Sequence, residues 1–337
     1  MQIYQDYDLS KLNTFGVPAR AGFFAVVTSE AELEELLNTT EFRENKKLFL
    51  GGGSNVLFTQ DWQGVVILNK LKGIEIVEET PEQVVVRSMG GEIWDDLVNF
   101  AVDRGLWGIE NLALVPGTVG ASPMQNIGAY GAELKETLES VEAYDLSTGE
   151  KKIFNNQECK LGYRDSVFKN ELKGQCFISA VTFRLSKIEK KNISYRVLQD
   201  YLEKNKIEIK NSKDVSQAVA NIRRSKLPDP KVLGNAGSFF KNVFVTKEQS
   251  QELKVKYADM PSFEEEGVVK IPAAWLIESC GWKGKKVGNV GVHDKQALVL
   301  VNHGGATGLE IKELAEKIIS SVYEKFGLRL TPEVNFI

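Results

Sequence analysis

Apolar residues occur mostly in short runs: KKLFL before the glycines at 51 to 53, then VVILN, IEIVEE and QVVVRS. Runs of that length, rich in Val and Ile and bounded by turn residues, predict strands. Residues 91 to 104, GEIWDDLVNFAVDR, break the pattern: Ile93, Leu97, Phe100 and Ala101 fall at helical spacing and Gly105 is placed to end a helix. Strand patterns return at VEAYD, at KKIF beyond the Ser147-Thr148-Gly149 turn, and at CFISAVTFRL over 176 to 185.

Between these blocks lies ENLALVPGTVGASPMQNIGAYGAEL, whose four Gly and two Pro between 116 and 131 forbid a regular helix or central strand. A loop this long inside a compact domain is usually functional. Residues 187 to 213 are lysine-rich and weakly periodic, which predicts an exposed helix and a crossing between domains. Further on, Thr246 with Gln249 and Thr307 with Glu310 match the capping-box spacing, and Pro272 suits a first helical turn. Ile311, Leu314, Ala315, Ile318 and Val322 form the apolar stripe of a last helix, and QALVLVN at 296 to 302 reads as a buried strand. Both halves are therefore α+β.

Composition narrows the function. The 337 residues allow two or three domains, and the net charge of −4 supplies no global field for nucleic acid or an anionic membrane. Three cysteines, Cys159, Cys176 and Cys280, fit neither a disulfide framework nor a thiolate metal site. Two histidines, His293 and His303, both late in the chain, disfavour a His-based zinc site or a Ser-His-Asp triad, so no metal is expected. The first residues lack a signal-peptide apolar stretch, and no run reaches the roughly 20 residues of a membrane span. A cytoplasmic monomer is the expectation.

GGGSNV lacks the third glycine of a dinucleotide-binding turn, and no phosphate-loop Gly-Lys-Ser/Thr occurs. Even so, Gly51, Gly52 and Gly53 can aim successive amides at one point while Ser54 and Asn55 add side-chain donors, a nest suited to a diphosphate. A plain turn is the competing reading. The long loop adds small residues that admit a flat ligand, with Thr118, Ser122, Gln125 and Asn126 as hydrogen-bonding groups.

In order and wording, GGGSN, VPGTVGASPMQNIGAYG and GYRDSVFK, followed by LPDPKVLGNAGSFFKN, IPAAWLIESCGWKG and the terminal PEV, resemble the MurB reductases. The resemblance runs from NTFG at 13 to the last residues. It implies an FAD-binding domain of the vanillyl-alcohol-oxidase type in two α/β subdomains plus a C-terminal α+β substrate-binding domain. The implied boundaries are 1–70 completed by 328–337, then 71–213, then 214–327. Non-covalent FAD would lie on Gly51, Gly52, Gly53, Ser54, Asn55, Pro116, Gly117, Thr118, Gly120, Ala121, Ser122, Gln125, Asn126, Ile127, Gly128 and Tyr130. NADPH is the implied co-substrate and UDP-N-acetylglucosamine enolpyruvate the implied substrate, the latter held by Tyr163, Tyr195, Arg223, Lys226, Asn242 and Gln296. Lys241 is a further possible ligand. Val243 stands where the family often has proline, a departure that touches only local loop shape.

The same resemblance gives Arg164, Ser238 and Glu333 catalytic roles. Hydride addition to the enolpyruvyl C3 leaves negative charge over C2 and the carboxylate. An always-protonated guanidinium can stabilise that charge, Ser238 would donate the proton to C2, and Glu333 would assist, most usefully as a neutral acid. Read without the resemblance, Arg164 could pair with Asp165 or Asp145, Ser238 could be a turn hydroxyl, and Glu333 and Tyr195 could be surface residues. The implied activity is formation of UDP-N-acetylmuramate for peptidoglycan, hence cell shape and division. The alternatives are another flavin oxidoreductase on the same fold, which would not need Ser238 or Glu333, and a silent nucleotide-sugar-binding protein.

Overall fold

The computed structural model describes residues 1–265 and 267–337. They group into two units, one of Met1–Tyr7, Ala21–Gly52 and Trp62–Ser225, the other of Asp8–Arg20, Gly53–Asp61 and Lys226–Ile337.

The first unit contains two large sheets and a small two-stranded one. In the smaller of the two large sheets, strands run in the order Ile3–Asp8, Arg20–Val27, Trp62–Asn69, Lys47–Leu50, and Trp62–Asn69 pairs in parallel with both its neighbours. A parallel strand covered on both faces carries a continuous apolar run rather than alternation, which is why VVILN is buried throughout. The helix Glu30–Leu37, capped by the Ser29 side chain, packs Leu33 and Leu36 into the core of that sheet.

The larger sheet is antiparallel, in the order Lys151–Asn155, Leu138–Asp145, Cys176–Ser186, Gln83–Met89, Ile74–Glu79. Its middle strand Cys176–Ser186 is the most buried, and the polar strands Lys151–Asn155 and Ile74–Glu79 form the edges. The predicted helix over 91 to 104 is shorter, Trp94–Val102, with Trp94, Leu97, Val98, Ala101 and Val102 buried. Its expected first turn does other work: Glu92, and Gly90 just before it, offer their carbonyls to the amides of Val119 and Gly120 at 2.9 and 2.8 Å, which ties down the long loop.

The lysine-rich stretch after 187 forms one ten-residue helix, Arg196–Asn205. It is less exposed than expected, since Leu198 and Leu202 join the core, and it ends at Lys206 in the left-handed region. The helix Ser212–Lys226 follows.

The second unit has an antiparallel sheet in the order Gly234–Ser238, Val299–Asn302, Val290–Val292, Lys286–Val287 and a smaller one of Val243–Val245, Val268–Ile271 and Phe263–Glu265. Its longest helix, Gly308–Phe326, buries Ile311, Leu314, Ala315, Ile318 and Val322 as the stripe predicts. Capping boxes form at Thr307/Glu310 and Thr246/Gln249. Two details differ from expectation. Pro272 lies one residue before the helix Ala273–Ser279 in extended conformation, because the Asn242 side chain accepts from the Ala273 amide at 3.1 Å and fixes the start there. The predicted strand at 296 begins at Val299, because the Val299 amide closes a turn on the Gln296 carbonyl at 3.0 Å. Among the described residues, no helix is long and apolar enough to cross a membrane.

Candidate active site

In the first unit the glycine cluster and the long loop meet backbone to backbone. A Cβ on Gly51 would lie 2.2 Å from Thr118 Oγ1, and one on Gly52 would lie 3.1 Å from Gly117 Cα. The small residues at both places are thus required by the approach. The loop itself is two 3-10 turns, Val119–Ala121 and Pro123–Gln125, and a tiny hairpin of Gly128–Ala129 with Ala132–Glu133. Gly52 and Pro116 at its rim are exposed, so this cradle of bare backbone fits a flat, diphosphate-bearing group such as FAD.

Two of the four polar side chains expected to face that ligand turn inward instead. Ser122 Oγ donates to Val119 O at 2.6 Å. Asn126, wholly buried, donates from Nδ2 to Glu133 Oε2 and to Gly162 O at 3.1 and 3.0 Å, and its Oδ1 accepts from Lys135 N at 3.0 Å. Asn126 therefore ties the loop to the turn that carries Tyr163 and Arg164. Neither Glu133 nor this tie has a signature in the sequence.

Seven non-glycine residues among the described ones have positive φ, and Leu114, Asn126, Tyr130 and Arg164 all belong to this region. Each such conformation costs of order 1–3 kcal/mol, which clusters where function requires a shape. Arg164, at φ 53, donates from Nη2 to Gly128 O at 2.8 Å and lies over the Tyr163 ring at 5.3 Å. A Cβ on Gly128 would come within 3.1 Å of Arg164 Nη1. The two acids that competed for Arg164 in the sequence have other partners: Asp145 pairs with Lys152, and Asp165 accepts from Asn170.

The expected substrate residues Tyr195 and Arg223 come together with Tyr130, which had been assigned to the cofactor. Tyr130 and Tyr195 meet edge to face with centroids 5.7 Å apart, and the Arg223 guanidinium lies near enough to the Tyr130 phenol to act on it electrostatically. Burial pushes the Tyr130 phenol up, so it stays neutral. Among the described residues Arg223 Nε is enclosed without a partner, and burial acts on this guanidinium to lower its pKa.

In the second unit, Ser238 ends the strand Gly234–Ser238 at a bulge between Asn235 and Ser238. Asn235 Oδ1 accepts from Gly237 N at 2.9 Å to shape the turn, and Ser238 is left exposed between buried Ala236 and Phe239. The next residues pair with the C-terminal segment: Glu333 N donates to Phe239 O at 2.8 Å and Phe240 bridges Pro332. Ser238 and Glu333, far apart in sequence, thus flank one backbone junction. Asn55 binds the same segment, donating from Nδ2 to Glu333 O at 3.3 Å while its own carbonyl accepts from Asn335 N at 3.0 Å. The NTFG sequence is explained too, since Thr14 N donates to Gly53 O at 3.0 Å and Thr14 O accepts from Asn235 N at 3.0 Å. Lys226 is exposed at its helix end, Asn242 caps a helix, and Gln296 is half-buried in its turn.

A glycine-lined cradle suited to a flat, diphosphate-bearing group, on an α+β frame, is the architecture of a flavin-binding oxidoreductase. Residues 21–153 match an FAD binding domain, and residues 229–337 match the C-terminal domain of UDP-N-acetylenolpyruvoylglucosamine reductase. The chain is 47% identical to the UDP-N-acetylenolpyruvoylglucosamine reductase of Flavobacterium johnsoniae over 100% of both chains. It is 44% identical to that of Pseudomonas aeruginosa over 99% of each. The crystal structure of the Thermus caldophilus reductase superposes with a TM-score of 0.68 over 99% of this chain and 98% of that one, at 21% identity. The chain belongs to the UDP-N-acetylenolpyruvoylglucosamine reductase family.

Proposed function

We propose that this protein reduces the enolpyruvyl group of UDP-N-acetylglucosamine enolpyruvate with electrons from NADPH, and that Arg164, Ser238 and Glu333 carry the chemistry. FAD, when bound, supplies the two-electron relay between the two substrates. The observation that carries the residue assignment is the Glu333-to-Phe239 backbone pairing, which sets a carboxyl and an exposed hydroxyl at one junction.

Arg164 stabilises the negative charge that reduction leaves over C2 and the carboxylate, a task for which a pinned guanidinium needs no rearrangement. Ser238 delivers the proton to C2, which a weakly acidic hydroxyl can do because a carbon enolate is strongly basic. Glu333 supports that transfer. Tyr163, Tyr195, Arg223, Lys226, Asn242 and Gln296 are proposed to bind the nucleotide sugar, with Arg223 near the Tyr130 phenol. Ser122 and Asn126 are proposed to shape the flavin loop from within.

The division into flavin subdomains 1–70 with 328–337 and 71–213, and a substrate domain 214–327, belongs to the same proposal. So do cytoplasmic location, a monomeric state, and service in peptidoglycan precursor synthesis and cell division. The test is NADPH oxidation by the FAD-loaded protein. Turnover that depends on the enolpyruvyl nucleotide supports the proposal, and oxidation indifferent to it refutes it.

A further inference from the structure

Asn111 is 1% exposed and sits in the 3-10 turn Glu110–Leu112. Its Nδ2 donates to two backbone carbonyls, Tyr130 O and Asn192 O, each at 2.8 Å. Asn192 answers across the same gap, donating from its own Nδ2 to Gly131 O at 2.8 Å. Gly131 has φ +84, and a Cβ there would lie 3.4 Å from Asn192 Oδ1 and 3.6 Å from Tyr195 Cβ, so the segment entering Tyr195 rests on bare backbone. The Tyr195 ring, 44% exposed, then leans on Tyr130.

The Asn111 amide is satisfied on one side only, because its Oδ1 is buried without a partner among the described residues. Native interiors avoid such orphans. An apolar side chain would have none, so what this position requires is the pair of N–H bonds.

We infer that Asn111 is a positioning residue for substrate binding: its amide clasps residues 192–195 to the 130–131 turn and holds the Tyr195 ring where it meets the nucleotide sugar. The inference rests on the substrate role proposed for Tyr195. If the segment is seated only part of the time, apparent affinity falls by the seated fraction, while enzyme saturated with substrate recovers the seated form.

The test uses FAD-loaded protein. Asn111→Asp keeps the shape but turns a carboxylate toward two carbonyls. Without substrate, amide exchange over residues 189–195 should quicken by about tenfold or more. KM for the enolpyruvyl nucleotide should rise about tenfold, with kcat held within about threefold. In a Tyr195→Ala background the same change should raise KM by less than about twofold, since its route of action is gone. Asn192→Ala buries no charge and removes only the answering bond, so it guards against misfolding. It should move exchange and KM the same way by about threefold.

Parental exchange in both variants, or an equal rise in KM in both backgrounds, overturns the inference. If Tyr195→Ala alone leaves KM at its parental value, the substrate role of Tyr195 is what fails. If Tyr195→Ala raises KM but Asn111→Asp and Asn192→Ala do not, the clasp alone is refuted.

Discussion

Ser238→Ala separates the proton donor from the scaffold around it. Among the described residues the Ser238 hydroxyl makes no hydrogen bond, and its turn is held by other groups: the Asn235 side chain on Gly237 N, Phe239 N on Leu298 O, and Glu333 N on Phe239 O. Phe239 and Phe240, at 0% and 1% exposure, anchor the segment on the far side. Removing an exposed, unbonded hydroxyl should therefore change folding stability by no more than about 0.5 kcal/mol and leave FAD bound. Loss of a general acid typically costs about 10²- to 10⁴-fold in the step it serves, or roughly 2.7–5.5 kcal/mol of barrier. Stopped-flow absorbance of the flavin reads the two half-reactions apart. Bleaching by NADPH should proceed within about twofold of the parent, because no carbon is protonated there. Recovery on adding the enolpyruvyl nucleotide should slow by two to four orders of magnitude, and Ser238→Cys should restore part of it, since a thiol is a competent acid. Recovery at the parental rate in the alanine variant would refute the assignment. Equal slowing of both half-reactions would show that the hydroxyl serves the loop.

Arg164→Lys should lower turnover by about 100-fold with FAD still bound, because lysine cannot reach Gly128 O and present a planar fork to the substrate at once; near-parental turnover would make Arg164 peripheral. Glu110 is 2% exposed, and burial raises its pKa above the ordinary 4.5 even though Oε2 accepts from Gly108 N at 2.5 Å. Its protonated form is thus favoured by folding, so it contributes stability below 4.5 that is lost as pH rises through the raised value. Glu110→Gln keeps an acceptor and never ionises, so its Tm relative to the parent should climb between pH 4.5 and 8, and a pH-independent difference would contradict this reading. The Cys159 thiol is pushed up to about 12 by burial, and burial also raises Cys176 and Cys280. A thiol-specific disulfide reagent at pH 8 should react slowly with the native protein and release all three equivalents in denaturant; a fast native equivalent assigned to Cys159 by mass spectrometry would contradict its burial.

Local patterns were enough to determine much of this protein. The Val-rich runs became strands, the stripe from Ile311 to Val322 became the buried face of a helix, and both capping boxes formed, because each depends on residues within a turn or two of one another. The motif wording carried the family in the same way, and the glycines of the flavin loop were legible because lack of a side chain is itself the signal. Partnership between distant groups was not legible. Ser122 and Asn126 have the same chemistry whether they face a ligand or their own backbone, and only the folded loop turned them inward. In the first predicted turn of the 91 to 104 helix, the Glu92 carbonyl is taken by the Val119 amide, which no helical period could announce. Asn111 with Asn192 and Glu333 with Phe239 are likewise tertiary decisions. A hydrogen bond is set by about 3 Å of space rather than by spacing along the chain, so these pairs exist only once sheets and loops have fixed where each backbone passes.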